Sequence, residues 1–289
     1  MGRPRPVREV MALLGSNPLI CCPLDASNPT KNYGSGGDFT LNGGGLVGAR
    51  GASEFITRSA KFNATLEQSL YVQNFNTVDS KTFSFMVSFK PTSTTPDIRQ
   101  IIYFDNGYFE MSYSYTSKNL YIKGKNTSGT TILDVTLNKS TIGTLNNNSL
   151  YLFSFDLSDV AKKNIYESTY LSNLAGFVTF TTYTDDFIDF TRAQCNIGAA
   201  NSTNFVEGDM SILYFTTDYI DFSLESNRNL FVNQLGYPRD LTPLIADATI
   251  PTPLIYLPFD DTSNLGKNLG TGGDFTKVGT VTAGADFTI

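Results

Sequence analysis

The sequence predicts an all-β protein, an antiparallel β-sandwich with one short helix in its C-terminal half and ordered extensions at both ends. Composition is the first observation: 22 Phe and 15 Tyr stand among abundant Thr, Ser, Asn and Gly, and charged residues make up only 17%. Aromatic and β-branched side chains fit a pleated, half-buried surface, so this mixture favours strands. Patterning is the second: short runs alternate apolar and polar residues, with turn-forming residues between them. The third is a duplicated phrase. Pro18-Leu-Ile-Cys-Cys-Pro-Leu-Asp25 and Asn32-Tyr-Gly-Ser-Gly-Gly-Asp-Phe-Thr40 return as Pro253-Leu-Ile-Tyr-Leu-Pro-Phe-Asp260 and Asn268-Leu-Gly-Thr-Gly-Gly-Asp-Phe-Thr276. The offset is 235 residues in the first half and 236 in the second, so a single insertion separates the copies. Each copy reads as a short strand, a turn-rich stretch, a Gly-Gly-Asp corner and a second short strand. Such a unit is too small to bury its own apolar face and has to pack on something larger. Either both copies dock on the central domain, or one completes a neighbouring subunit. Terminal strands commonly pair within their own sheet, which favours the first docking.

These features divide the chain into a basic N-terminal arm at 1–17, a sandwich at 18–240, and a Pro-rich linker with the second phrase at 241–289. The arm carries Arg3, Arg5 and Arg8 against Glu9, and an assembly contact is its expected role. Across the sandwich, strands are expected at 69–75, 82–90, 99–104, 108–115, 119–123, 131–137, 149–156, 176–183 and 208–217. Phe83, Phe85, Val87 and Phe89 share one face of their strand, while Thr82, Ser84 and Ser88 take the other with Met86 as the exception. Leu150 and Leu152 oppose Tyr151, Phe153 and Phe155, so that strand is expected to be covered on both sides. Asp105-Asn-Gly107, Asn126-Thr-Ser-Gly129 and Asn146-Asn-Asn148 supply turns. Many short strands joined this way make a sandwich or jelly roll rather than a parallel α/β sheet. The helix is expected after Ser223 as cap, with Leu224, Arg228, Phe231 and Leu235 at helical spacing and Gly236 and Pro238 as the stop. A linker with three prolines, residues 241–253, then leads to the second phrase.

Charge and hydropathy exclude several classes. A net charge of −6 gives no basic face for nucleic acid. No apolar run approaches the roughly 18–20 residues that cross a bilayer, so membrane insertion is not expected. No apolar signal core follows Met1, and synthesis in a cytoplasm is the expectation. The chain has three cysteines and no histidine; Cys21, Cys22 and Cys195 are expected as small buried hydrophobes rather than metal ligands.

The order of several elements resembles a known family. The apolar strand ending Leu24-Asp25 and its Gly-rich corner come first. Phe83-Ser-Phe-Met-Val-Ser-Phe-Lys90 and Leu150-Tyr-Leu-Phe-Ser-Phe-Asp156 follow, then Asn196-Ile-Gly-Ala199, Gly208-Asp-Met-Ser-Ile-Leu-Tyr-Phe215 and a short helix. Over about residues 18–235 this is similar to the concanavalin A-like, laminin G-type jelly roll. The duplicated phrase, with Leu235-Gly-Tyr-Pro-Arg-Asp240 before its second copy, resembles the version found in tailed-bacteriophage virion proteins. The resemblance implies a non-enzymatic virion structural protein, either a capsid decoration or a tail-fibre or receptor-binding component, made in a host bacterial cytoplasm. It implies contact with other virion proteins, self-association that often takes the form of a trimer, and a host surface glycan as a further partner. A free carbohydrate-binding lectin or adhesin is the competing reading, with a polysaccharide-degrading glycoside hydrolase behind it.

The residues that could carry chemistry are few. Glycoside hydrolysis needs two carboxylates across the scissile bond. Glu207 and Asp209 come closest, but Met210, Ser211 and Ile212 supply no further glutamate, so they are expected as turn and strand residues. Without histidine the usual base of a serine or cysteine nucleophile is missing. No cofactor is expected, with calcium weighed on Asp185, Asp186 and Asp189, whose hard oxygens suit it. Tyr108, Tyr113, Tyr115 and Tyr121 lie on or near one hairpin. They are the candidate stacking surface for a sugar or a subunit, against the reading that they pack inside the sandwich. The chain has no Trp, the strongest platform for a sugar ring.

Overall fold

The computed structural model describes residue 56 and residues 58–75, 77–92, 97–138, 149–167, 172–233 and 236–286. The basic arm with Arg3, Arg5 and Arg8, the first copy of the phrase, and Cys21 and Cys22 lie outside the described residues. All described residues belong to one unit spanning 54–289.

Two antiparallel sheets stack face to face. Sheet A holds β1 (Ala60–Phe62), β3 (Thr82–Pro91), β8 (Ser149–Asp156), β9 (Lys163–Glu167), β10 (Ser172–Asn173), β13 (Gly208–Thr216), β14 (Ile255–Leu257) and β16 (Thr282–Ala283). They run in the order β10-β9-β8-β3-β13-β1-β16, with β14 also on β13. Sheet B holds β2 (Ser69–Gln73), β4 (Ile98–Phe104), β5 (Phe109–Ser114), β6 (Leu120–Lys125), β7 (Thr131–Leu137), β11 (Val178–Tyr183), β12 (Gln194–Ile197) and β15 (Thr276–Val278), ordered β11-β7-β6-β5-β4-β12-β2-β15. The nine strands that the sequence predicts between residues 69 and 217 are all present, with ends moved by a residue or two. The protein is a jelly-roll sandwich.

Between the sheets lies an aromatic core. Phe83, Phe85, Val87 and Phe89 point into it, as their alternation requires. Phe83, Phe104, Phe109, Phe190 and Phe215 form a nest. Phe83 meets Phe109 at 5.1 Å, Phe109 meets Phe190 at 5.2 Å and Phe190 meets Phe215 at 5.4 Å. Tilted and edge-on pairs of this kind contribute roughly 0.5–1.5 kcal/mol each beyond the area they bury.

Sheet A has a second covered face. Met86, Leu150, Leu152, Ile212 and Tyr214 gather there with Ile220, Phe222, Phe231, Val232, Leu241 and Ile250. Met86, the apparent exception to alternation, therefore sits in a second core, and β8 is covered on both sides. Buried Ser84 ties this layer down: its Oγ donates to Asp218 O at 2.8 Å and accepts from Ile220 N at 2.7 Å.

Two helices, not one, belong to the covering segment. In α1 (Glu225–Phe231) the N-cap is Leu224, with no side-chain cap. Ser223 does not cap; it lies one residue before the N-cap, and its N–H donates to Asp221 Oδ1. Arg228 instead reaches back to the carbonyls of Phe222 and Ser223. Val232 turns extended and bridges Pro238, while Gly236, at φ 85°, closes the turn. The helix thus stops short of Leu235, which lies outside the described residues. The expected linker contains α2 (Thr242–Ala246). Pro243 starts it rather than breaking it, since the first turn needs no N–H from that position.

The second phrase folds as the sequence predicts and docks on its own sandwich. β14 pairs with Leu213–Phe215 of β13, next to β1, which pairs with Gly208–Met210 along the same edge. β15 pairs with β2 at the margin of sheet B. No helix among the described residues is long and apolar enough to cross a membrane.

Candidate functional site

Sheet B differs from sheet A in what its outer face carries. Following the register across it, Asp134, Lys123, Glu110, Tyr103, Asn196, Tyr71 and Thr276 are successive cross-strand neighbours. Each alternates with core residues of its strand, such as Ile102 and Phe104 around Tyr103, Leu70 and Val72 around Tyr71, and Cys195 and Ile197 around Asn196. The row therefore points away from the core. Tyr71 and Tyr103 are half-buried and flank Asn196, which is itself buried at 1% exposure.

Amide chemistry surrounds these two rings. Gln194 Nε2 donates to Asn196 Oδ1 at 2.8 Å, and Asn196 Nδ2 donates to Asn201 Oδ1. Gln100 Nε2 donates to Glu110 Oε2 at 3.3 Å. Burial raises the Glu110 carboxyl above its ordinary range, and Asp134 adds to this, while Lys123, Lys125 and Gln100 pull it down. Burial also raises the Tyr103 hydroxyl, with Glu110 and Asp105 adding to it. Asn196 and Gln100 are buried and brace the row from beneath, so its accessible groups are Tyr71, Tyr103, Gln73 and Gln194, with a compensated charge set at one end.

The face continues into a hollow. Beyond the register pair Gln73–Gln194, Asn74 N donates to Ala193 O, and the chains then separate around a space of about 400 Å³. Asn74, Phe75, Thr77, Thr191, Arg192 and Ala193 line it. The Arg192 guanidinium stacks on Tyr108 at 3.7 Å and pairs with the fully buried Asp189. Rings, amides and a clamped guanidinium side by side can stack on and hydrogen-bond a polyhydroxylated ligand.

The sequence candidates divide. Tyr108 and Tyr121 are half-buried, Tyr108 beside the hollow and Tyr121 in the second outward row next to Ser112. Tyr113 and Tyr115 are not surface groups. Both are buried in the core at 0% and 3% exposure, Tyr113 against Phe89 at 5.8 Å and Tyr115 at 5.0 Å. The Tyr115 hydroxyl donates to Glu207 O and accepts from Glu207 N. The packing reading is correct for this pair, and the stacking-surface reading is not.

The three aspartates do not converge. Asp185 pairs with Lys81, Asp186 accepts from Asn126 and from Phe187 N, and Asp189 is buried with Thr191 and Arg192. Among the described residues no group of three His, Cys, Asp or Glu side chains could hold a metal ion. Asp209 faces Lys61 and Lys90 on its two neighbouring strands, and burial raises its carboxyl against the pull of both. Glu207 meets Tyr115 through its backbone. Cys195 is a buried free thiol, raised well above its ordinary range by burial.

The residues that local reading missed are Tyr71, Tyr103 and Asn196. Each is polar or amphipathic between two apolar neighbours, which was the available signal.

No family model matches the chain, and no curated protein is similar to it in sequence. Solved structures do resemble it. A Bacteroides ovatus protein described as carbohydrate binding superposes with a TM-score of 0.53 at 13% identity, covering 81% of this chain and 62% of its own. The chain thus spans less than two thirds of that protein. The SAP-like pentraxin of Limulus polyphemus, a heptamer, superposes at 0.50 and 10% identity over 80% of this chain and 95% of its own. Domains LG4–5 of mouse laminin α1 reach only 0.38 over 58% of this chain and 43% of theirs at 11% identity. At such identities the likeness is one of fold, the antiparallel jelly-roll sandwich.

Proposed function

We propose that the chain is a non-enzymatic glycan-binding module that takes its ligand on the outer face of sheet B. The observation that carries this reading is the row in which Tyr103 and Tyr71 flank Asn196 and lead past Gln73 and Gln194 into the hollow. Half-buried aromatic rings offer apolar faces to the C–H side of a sugar, and the accessible amides of Gln73 and Gln194 offer donors and acceptors to its hydroxyls. A lectin-type fold, and a structural neighbour described as carbohydrate binding, support it. A glycan array and whole bacterial cells are the test. Specific retention by the intact protein, lost in a Tyr71→Ala, Tyr103→Ala double variant that still folds, is the expected result. Absence of retention on every glycan and cell tested would remove the reading.

A second reading concerns the setting. The duplicated phrase resembles that of tailed-bacteriophage virion proteins, and the same sandwich would then serve as a capsid decoration or tail-fibre component contacting other virion proteins. Peptide mass spectrometry of purified particles separates the two settings. A virion component is present in stoichiometric amount, and a free lectin is absent.

A further inference from the structure

The second phrase occupies a seat whose demands can be read residue by residue. Asn268 is its latch, 5% exposed, with its whole amide used. Nδ2 donates to Leu254 O and Gly273 O at 3.0 Å, and Oδ1 accepts from Tyr256 N at 2.8 Å and Gly270 N at 3.0 Å. Asp274 closes the corner, accepting from Asn268 N and pairing with Lys267 at 3.0 Å. The glycines are obligatory. A Cβ on Gly270 would lie 2.6 Å from Leu254 O, and one on Gly272 would lie 2.2 Å from the ring of Phe75. Phe275 fills the core behind them.

The first phrase carries the same parts at the same spacing: Lys31, Asn32, Gly34, Gly36, Asp38 and Phe39 match Lys267, Asn268, Gly270, Gly272, Asp274 and Phe275. The residue types that make the amide latch, the two close-approach glycines and the corner ion pair of the second phrase thus recur in the first. Three buried positions differ between residues 18–25 and 253–260: Cys22 and Leu24 stand where the core residues Leu257 and Phe259 stand, and the third removes hydrogen bonds. Cys21 stands where Tyr256 stands, and the Tyr256 hydroxyl accepts from Leu241 N at 2.8 Å and donates to Asp240. A first phrase in that seat would lack those two bonds.

Among the described residues the chain offers one such seat, filled by its own second phrase, and its sequence holds two phrases. We infer that the seat also accepts residues 18–40 of a second copy of this chain, in exchange for residues 253–278. The tethered phrase has the advantage of effective concentration and of Tyr256, so exchange grows with protein concentration and with anything that loosens the second phrase.

The register supplies the test. Tyr71 lies directly opposite Thr276, and Thr40 is the equivalent of Thr276 in the first phrase. A chain carrying Tyr71→Cys is mixed with a separate chain carrying Thr40→Cys. Oxidation should yield a 71–40 disulfide, identified by peptide mass spectrometry and increasing with concentration; Tyr71→Cys with Thr276→Cys in one chain is the positive control. Adding Asn268→Ala to the Tyr71→Cys chain should raise the 71–40 product about ten-fold, the change expected if the lost amide contributed about 1.4 kcal/mol. Adding Asn32→Ala to the Thr40→Cys chain should abolish the gain. Absence of the 71–40 peptide from the mixture overturns the inference. So does equal yield from the Asn32→Ala chain, or a 71–40 link found only within single chains carrying both cysteines. Should the Asn268→Ala chain not fold, the concentration series on the intact seat decides by the same peptide.

Discussion

The outer faces of the two sheets share a period and differ in fate. On sheet A the outward positions Met86, Leu150, Leu152, Ile212 and Tyr214 are apolar and covered by α1, α2 and the turns around them. On sheet B the outward positions Tyr71, Tyr103, Glu110, Lys123 and Asn196 are polar or amphipathic. Alternation alone produces two faces per sheet; the chemistry of the outward parity decides whether a face is a second core or an open surface. A ligand face on sheet A would require removing a packed layer, which is why the candidate site lies on sheet B.

That contrast can be broken from either side. The largest effect is expected on the covered face: Met86→Ala should cost about 2–5 kcal/mol, read as a lowered urea midpoint, because it leaves a cavity between β3 and the helical layer. A loss under about 1 kcal/mol would mean that the layer packs loosely. Tyr103→Ala on the open face should do the reverse, changing stability by less than about 1 kcal/mol while lowering retention on a responding glycan about ten-fold. Equal damage to stability from both variants would erase the distinction between the faces. Ser84→Ala should cost about 1–2 kcal/mol, since Ile220 N loses its acceptor and Asp218 O its donor. Faster hydrogen exchange confined to residues 218–222 would locate the loss.

The smallest effect is a pH dependence. Glu110 holds its proton more tightly folded than unfolded, through burial first and Asp134 second, against Lys123, Lys125 and Gln100. The stability this contributes is present below the unfolded glutamate value of about 4.3 and is lost as pH rises through the higher folded value. Glu110→Gln should therefore gain thermal stability relative to the unaltered protein between about pH 4 and pH 7. A difference that shrinks as pH rises would reverse the assigned sign.

Much of the fold was legible because strands announce themselves locally. Phe83-Ser-Phe-Met-Val-Ser-Phe carries its period in consecutive residues, and the turns at Asp105-Asn-Gly107 and Asn126-Thr-Ser-Gly129 fall where the structure turns. The site was less legible. Tyr113 and Tyr115 share a parity with Phe109 and Met111, and reading that strand from its start would have turned both rings inward. Tyr71, Tyr103 and Asn196 come from strands far apart in the chain, and no local window contains their adjacency. A register shift between Gln100 and Ile102 further separates Gln100 from the parity that its neighbours suggest.

From the sequence alone came the all-β class, the strand parities, and the existence of two matching phrases, because each is written in short-range spacing. The tertiary structure decided which parity met the other sheet, which outer face a helical layer would cover, and where the second phrase would sit. Those choices depend on register between distant strands and on which apolar surfaces find partners, and neither is encoded within a single segment.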